Sequence, residues 1–138
     1  MSWDIFAVDI PAEFKSAEEI PSDFKPNSLS RASVISRISE IFPSANFSDP
    51  SWGLIDGDGW SMEVNLGREE NCDGFTLHVR GNDDAAVDAV VRILDDLRIR
   101  AFDAQTGEFF EAGPNALKSF REWRTFRDRA VHREHEDS

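Results

Sequence analysis

Two segments of this chain alternate between apolar and polar residues, and this alternation constrains the fold more than any other feature of the sequence. The segments are WSMEVNL (60–66) and FTLHVR (75–80), and WGLID (52–56) precedes them. A period of two places successive side chains on opposite faces of a β-strand. One apolar and one polar face are typical of an antiparallel sheet that is buried on one side. We therefore predict three consecutive antiparallel strands with a shared apolar face.

Three other segments repeat their apolar residues at helical spacing. They are SRASVISRISEIF (30–42), DDAAVDAVVRILDDL (83–97) and the stretch that begins near Ala116. Ser30 is of the residue type that caps a helix N-terminus, and Pro43 disfavours helical geometry in the residue before it. We therefore predict three helices. In the last one, the spacing leaves open whether Phe126 or Arg127 lies on the buried face.

The order of these elements predicts an α+β fold. WDIFAVDI (3–10) and IRAFDA (99–104) add strands, and EFFEA (108–112) adds a short strand or a continuation, so the order is β-α-β-β-β-α-β-(β)-α. This order favours a mainly antiparallel sheet with helices packed on one face, as a variant of the ferredoxin-like arrangement. We expect a single domain over residues 1–138, with a long loop at 11–29 and a frayed tail at 132–138.

The stretch IDGDGW (55–60) joins the first two strands of the meander. An EF-hand calcium loop needs ligands at its first and twelfth positions. With Gly59 as the central glycine, these positions fall on Leu54 and Asn65, which do not fit. Aspartate and glycine are ordinary turn residues, so the stretch predicts a hairpin turn instead of an ion site.

The register of this hairpin has two alternatives. A two-residue loop (57–58) sets Trp52 opposite Glu63, whereas a three-residue loop (57–59) sets Trp52 opposite Val64. A shift of register moves side chains to the other face of the sheet. We favour the three-residue loop because it keeps apolar side chains together on the buried face.

Polar residues of the second and third strands are expected to lie side by side on the open face. Aligning Leu66 with Phe75 sets Glu63 opposite His78, and such cross-strand neighbours interact. A carboxylate beside His78 could orient the imidazole as a general base, and Arg80 could hold an anionic group. An ordinary solvated sheet face shows the same alternation. A small polar site and a plain solvated face are therefore both open.

The formal net charge of −12 limits the classes of partner. Nucleic acids and anionic membrane surfaces repel such a chain, whereas basic proteins and cations are attracted. Cys72, the single cysteine, cannot form an internal disulfide or a cysteine-based zinc site, which favours a reducing cytoplasm. The sequence contains no catalytic serine or cysteine motif and no membrane-length apolar run, and from the residues at 1–10 we expect no secretory leader. We predict no cofactor and no metal.

The segment KSFREWRTFRDRAVHR (118–133) is the one basic stretch of the chain. We expect its aromatic residues to enter the core while its arginines pair with acidic groups of the body. Contact with nucleic acid is the less favoured alternative, because the field of the whole chain is repulsive. His132 and His135 lie beside Glu136 at helical spacing, but a metal site needs supporting hydrogen bonds around its ligands, which a charged tail does not provide.

The segments SDPSWGLIDGDGWSMEVNLG, GFTLHVRG and AFDAQTGEFF together resemble those of small bacterial cytoplasmic proteins of uncharacterised function. The resemblance covers roughly residues 43–111 and involves no catalytic motif. Some small acidic proteins of this general build look like immunity proteins that neutralise toxins. The resemblance implies an interaction protein and assigns a role to no individual residue.

We therefore expect a non-enzymatic, acidic protein-binding module, and its most specific form is an immunity- or antitoxin-type inhibitor of a basic protein. Electrostatic steering would be followed by docking of a few aromatic anchors. The candidate contact residues are Asp56 and Asp58 in the turn, with Phe14 and Phe24 in the long loop. The alternative is an enzyme or small-ligand-binding protein that uses the polar sheet-face site. A homodimer through a strand edge or the last helix is a third hypothesis.

Overall fold

The computed structural model describes the backbone of residues 1–136 and the side chains of residues 1–130. The strands are β1 (Trp3–Val8), β2 (Leu29–Ser30), β3 (Trp52–Asp56), β4 (Trp60–Asn65), β5 (Asn71–Cys72), β6 (Phe75–Gly81), β7 (Arg100–Asp103) and β8 (Glu108–Phe109). The helices are α1 (Arg31–Ile41), α2 (Ala85–Leu97) and α3 (Pro114–Glu136), and a 3-10 turn spans Ala17–Glu19. The frayed tail predicted at 132–138 lies outside the described side chains.

One six-stranded sheet organises the fold. Its strand order is β3-β4-β6-β1-β7-β8, and every neighbouring pair is antiparallel. β2 and β5 form a separate two-residue pair beside it. The predicted α+β class is confirmed. The ferredoxin-like arrangement remains an interpretation of this strand order.

The core lies between the sheet and the three helices, which all pack on the same face. Alternate residues of the strands, such as Ile5, Val64 and Leu77, are fully buried there. α2 inserts Val90 and Ile93 from its apolar stripe into the same cluster. Because removal of apolar surface from water is the main favourable term in folding, this face holds the domain together, and the helices leave the other face of the sheet uncovered.

The ends of α1 follow the sequence signals. The Ser30 hydroxyl accepts a hydrogen bond from the Ser33 N–H at 3.3 Å, which satisfies one of the free amides of the first turn. The helix ends at Ile41, with Phe42 as its C-terminal cap directly before Pro43. Both predicted boundaries are confirmed.

α3 settles the choice that its spacing left open. Phe120 and Trp123 are buried, as predicted, whereas Phe126 is 60% exposed. Arg127 lies on the inner side, where its guanidinium donates to the Gly81 carbonyl oxygen at 3.1 Å and contacts the Trp123 ring with its centre 5.0 Å from the centroid. An aliphatic stem that packs under a charged head explains why an arginine can take this position.

The hairpin between β3 and β4 has neither of the two registers weighed from the sequence. Trp52 lies opposite Asn65 and Ile55 opposite Met62. The loop is therefore formed by Asp58 and Gly59, and Gly59 takes the positive φ of 80° that a turn at this position requires. The favoured pairing of Trp52 with Val64 was wrong, and Trp52 lies on the face of the sheet away from the helices.

Two glycines explain this register. A Cβ on Gly53 would lie 2.2 Å from the ring of Phe47, and a Cβ on Gly57 would lie 2.0 Å from the indole of Trp60. The missing side chains thus make room for two aromatic rings, and Phe47 and Trp60 both pack against the core cluster. Matching apolar residues across the strands could not reveal this, because the sequence alone does not place Phe47 beside the hairpin.

The outer edge of β3 is already hydrogen-bonded to the preceding loop of the same chain. Leu54 exchanges backbone hydrogen bonds with Asn46, at 2.8 and 2.9 Å, and the Trp52 N–H donates to the Asp49 carbonyl oxygen. The opposite edge strand, β8, has two residues. Short or covered edges offer little template for pairing with another chain, which weighs against the homodimer hypothesis that uses a strand edge.

Candidate functional site: the open face of the sheet

Most of the side chains that point away from the helices form three rows across the sheet. A fourth pair, Val8 and Arg100, lies where Arg100 donates to the carbonyl oxygens of Pro11 and Phe14 in the long loop. The first row contains Trp52, Asn65, Thr76, Phe6, Phe102 and Phe109. The second contains Leu54, Glu63, His78 and Asp4. The third contains Asp56, Ser61 and Arg80. We call these three rows the open face.

The open face is rich in exposed apolar side chains. Among the described residues, three of the five exposed large apolar side chains lie here: Phe6 at 44%, Trp52 at 38% and Leu54 at 44%. Phe102 stacks on Phe109 in the same first row, with centroids 4.8 Å apart. Single exposed apolar residues are ordinary, but several on one face point to a binding surface. The sequence did not indicate this feature, because the favoured pairing of Trp52 with Val64 placed the indole in the core.

His78 lies at the centre of the open face and contacts two neighbours. Its Nδ1 atom is 2.8 Å from the Asp4 carboxylate, to which the Ser2 hydroxyl also donates a hydrogen bond. The indole of Trp52 stacks on the imidazole with centroids 5.6 Å apart. A carboxylate beside Nδ1 favours the tautomer of the imidazole in which Nδ1 carries the proton. The carboxylate and the stacked indole together orient the imidazole ring.

The predicted polar residues meet on this face but pair differently from the prediction. Glu63 lies opposite His78 in the register of β4 and β6, as predicted. However, the Glu63 carboxylate forms an ion pair with Arg80 at 3.1 Å, and His78 is bonded to Asp4 instead. Asp4 is thus a site residue that the sequence analysis missed. Its polar position between Trp3 and Ile5 was a signal, but nothing local showed that β1 lies beside β6.

The four candidate contact residues do not form one surface. Asp56 lies on the open face, and Asp58 is exposed in the adjoining turn. Phe14 and Phe24 pack edge to face on each other, with centroids 5.7 Å apart, and both are half-buried. Their loop is held at β7, where Arg100 donates to the Phe14 carbonyl oxygen at 2.5 Å. Three strands separate this position from β3, which carries Asp56.

Two arginines of α3 pair with a carboxylate of the body. The predicted pairing is thus confirmed for part of this helix. Arg121 and Arg124 donate to the Asp84 carboxylate at 2.6 and 3.1 Å. The hydrogen bond from Arg121 is the main reason why the pKa of Asp84 lies below its ordinary value of 3.8, and the same bond raises the pKa of Arg121. These contacts tie α3 to the N-terminus of α2.

Three cavities in the described part of the chain are lined by residues other than Glu63, His78 and Arg80. Within the same residues, no group of three or more His, Cys, Asp or Glu side chains is placed to hold a metal ion. The side chains of His132, His135 and Glu136 lie outside the described set. No helix in the described part has the length and apolar character needed to cross a membrane.

Comparison with known protein families finds no match for this chain, and comparisons with curated proteins and with solved structures find no significant match. The resemblance to small bacterial proteins and to immunity proteins therefore stays a prediction from the sequence.

Proposed function

We propose that the open face binds a basic protein. One observation carries the proposal: an uncovered sheet face combines exposed apolar side chains with carboxylates. The apolar members are Phe6, Trp52 and Leu54, and the carboxylates are Asp4, Asp56 and Glu63. Protein-binding patches commonly combine apolar contact residues with polar and charged ones.

Trp52 is the expected anchor of this surface. Tryptophan is enriched among the residues that contribute most to binding free energy. The stack on His78 restricts the indole before a partner arrives, so less side-chain entropy is lost on binding. Leu54 and Phe6 extend the apolar contact along the second and first rows.

The charge of the chain determines the chemistry of the partner. The net charge of −12 attracts a basic protein and speeds its encounter with the chain. Glu63 is neutralised by Arg80. Asp56 and Asp58 in the neighbouring corner form no ion pair with the side chains of residues 1–130, so they are the candidates for steering. An immunity- or antitoxin-type inhibitor that acts in the cytoplasm is the most specific form of this proposal.

The test is affinity capture from a lysate of the source cells, followed by binding measurements with the purified partner. The variant replaces both Trp52 and Leu54 with Ser, and the control is Phe126→Ser, which removes an exposed apolar side chain from α3. We expect the control and the native chain to retain one basic protein. The double variant should bind it about 30-fold or more weakly, since anchors of this kind contribute about 2 kcal/mol or more.

Circular dichroism must show that the double variant folds like the native chain. If the folded double variant binds the basic protein as tightly as the native chain does, the open face is not the binding surface. A captured protein that is acidic would contradict the assignment of partner chemistry.

An enzyme or small-ligand site on the same face is the second candidate. The observation in its favour is the bond between His78 Nδ1 and Asp4, which orients the imidazole as a base would need. This candidate expects that His78→Ala abolishes turnover or ligand binding in a folded chain. The first candidate expects the same variant to keep most of its affinity for the protein partner, because the anchors remain.

A further inference from the structure

We propose that a cavity at the β8 end of the sheet binds an alkylguanidinium group, that is, a planar organic cation on an aliphatic stem. The cavity has a volume of about 480 Å³ and lies between the β7–β8 hairpin, the first turns of α3 and residues 15–17. Sites for small molecules generally have volumes of this order. Of the residues assigned to the open face, Phe109 alone lines this cavity, so the site is separate from the proposed protein-binding surface.

A buried carboxylate forms part of the cavity wall. Asp103 is 3% exposed, and its Oδ2 accepts a hydrogen bond from the Ser119 hydroxyl at 2.5 Å. Its Oδ1 accepts from the Gln105 N–H at 2.8 Å. The Ser119 oxygen in turn accepts from the Trp3 indole N–H at 3.1 Å. These bonds fix the position of the carboxylate before any ligand binds.

Asp103 has no cationic partner within ion-pair distance in the part of the chain whose side chains the structure describes. A buried carboxylate without a counter-charge is costly. A carboxylate has about four acceptor positions, and the two bonds from Ser119 and Gln105 leave the others free. A cation in the cavity would supply both the missing charge and the missing donors.

The rim of the cavity also favours a cation. Glu108, Glu111 and Glu122 line it together with Lys15 and Lys118, so with Asp103 four carboxylates face two amines. Lys118 is 3.9 Å from Glu122, and the Lys15 amine donates to the Ala12 carbonyl oxygen. Neither amine therefore neutralises Asp103.

The walls select the shape of the ligand. Phe110 lines the cavity beside Phe109, whose ring already lies under the Arg100 guanidinium at 3.6 Å. An aromatic ring such as that of Phe110 attracts a cation and accepts an aliphatic stem. A guanidinium is planar and less strongly hydrated than an ammonium, and its donors match a carboxylate in pairs. An alkylguanidinium therefore fits this combination of an aromatic ring and a fixed carboxylate best.

The test compares two probes of the same shape, butylguanidinium and the neutral butylurea, by NMR titration of the full chain. We expect saturable binding of butylguanidinium, with shifts at Asp103 and Ser119, and at least about tenfold weaker binding of butylurea, because charge-assisted hydrogen bonds are much the stronger. Asp103→Asn should weaken butylguanidinium binding about tenfold or more. The control Glu40→Gln removes a carboxylate from an exposed position of α1. It should leave the affinity for butylguanidinium unchanged.

A capped arginine dipeptide distinguishes the two sources of such a group. Tighter binding than butylguanidinium identifies an arginine side chain of a protein, and equal binding identifies a free small cation. Because Asp103→Asn also alters the buried bond to Ser119, a second variant, Glu108→Gln with Glu122→Gln, changes only exposed rim residues and should lower affinity several-fold. The proposal is overturned by equal affinity for the two probes, or by unchanged affinity in the rim variant or in a folded Asp103→Asn chain.

Discussion

The indole of Trp52 stacks on the imidazole of His78, with ring centroids 5.6 Å apart and planes inclined by 19°. The stack crosses β4, which lies between the strands that carry the two residues. Asp4 holds the imidazole from the side of β1 at 2.8 Å. A series of contacts thus runs from an outer strand to the centre of the sheet, and it fixes an exposed aromatic ring on a face that no helix covers. A ring held in this way is better suited to recognition than a freely rotating one.

Replacing both Asp56 and Asp58 with Asn should slow association with the basic partner. Steering by charge acts on the encounter, so we expect an association rate constant roughly three- to tenfold lower at low salt, a weaker salt dependence and a nearly unchanged dissociation rate. Stopped-flow or surface-plasmon measurements at several ionic strengths test this. The matched control, Glu40→Gln with Asp88→Asn, removes two charges from exposed helix positions. An equal effect of the control would show that total charge, and not this corner, steers the partner.

Replacing either of two phenylalanines of α3 with alanine should lower the free energy of unfolding, but by very different amounts. Phe120 is fully buried and packs against Trp3, with centroids 5.1 Å apart, so Phe120→Ala should lower the free energy of unfolding by about 3–5 kcal/mol. Phe126 is 60% exposed, so Phe126→Ala should change the free energy of unfolding by about 0.5 kcal/mol or less. Urea unfolding followed by tryptophan fluorescence measures both. Similar losses for the two variants would contradict the orientation of the helix.

Gly57→Ala should destabilise the protein by steric overlap. The added methyl group would lie 2.0 Å from the Trp60 indole, which also packs edge to face on Phe42. Forcing such a ring to move typically costs about 1–3 kcal/mol. Gly67→Ala is the control, because its φ of 77° is strained for alanine but its surroundings are open, and the expected loss is about 1 kcal/mol. Thermal and urea unfolding give the two values, and a neutral Gly57→Ala would be inconsistent with the described hairpin.

Asp84→Asn should destabilise the protein near neutral pH and have less effect in acid. Arg121 holds the pKa of Asp84 below its ordinary 3.8, so the stabilisation is present above that pH and is lost as pH falls through the lowered pKa of the folded state. The carboxylate is more than a third exposed, and solvent screening limits the effect to about 1 kcal/mol or less.

Urea unfolding of the native chain and the variant between pH 7 and pH 3 tests this dependence. Asp88→Asn, which removes a carboxylate from the exposed side of the same helix, is the control. The difference in the free energy of unfolding between the native chain and Asp84→Asn should become smaller below pH 3.8. A difference that stays constant down to pH 3 would show that the ion pair with Arg121 is not its source.

The sequence alone determined the helices and strands, and also the pairing of strands that are close to each other in the chain. The alternation in β4 and β6 predicted the buried face and the position of Glu63 opposite His78, because a period of two leaves few acceptable registers. The helical spacing of the apolar residues at 83–97 likewise predicted α2, whose Val90 and Ile93 enter the core. In these segments, neighbouring residues in the chain carry the information that decides the structure.

The tertiary structure decided which of these residues act together. Asp4 bonds to His78 from 74 positions away in the chain, and Phe47 occupies the space beside Gly53. The first contact adds a residue to the candidate site, and the second helps to set the register that places Trp52 and Leu54 on the open face. No local period encodes such contacts, because they depend on which strands and rings become neighbours when the whole chain packs. Glu63, His78 and Arg80 could thus be predicted from the sequence, whereas Asp4, the apolar anchors and the ion pairs of the open face could not.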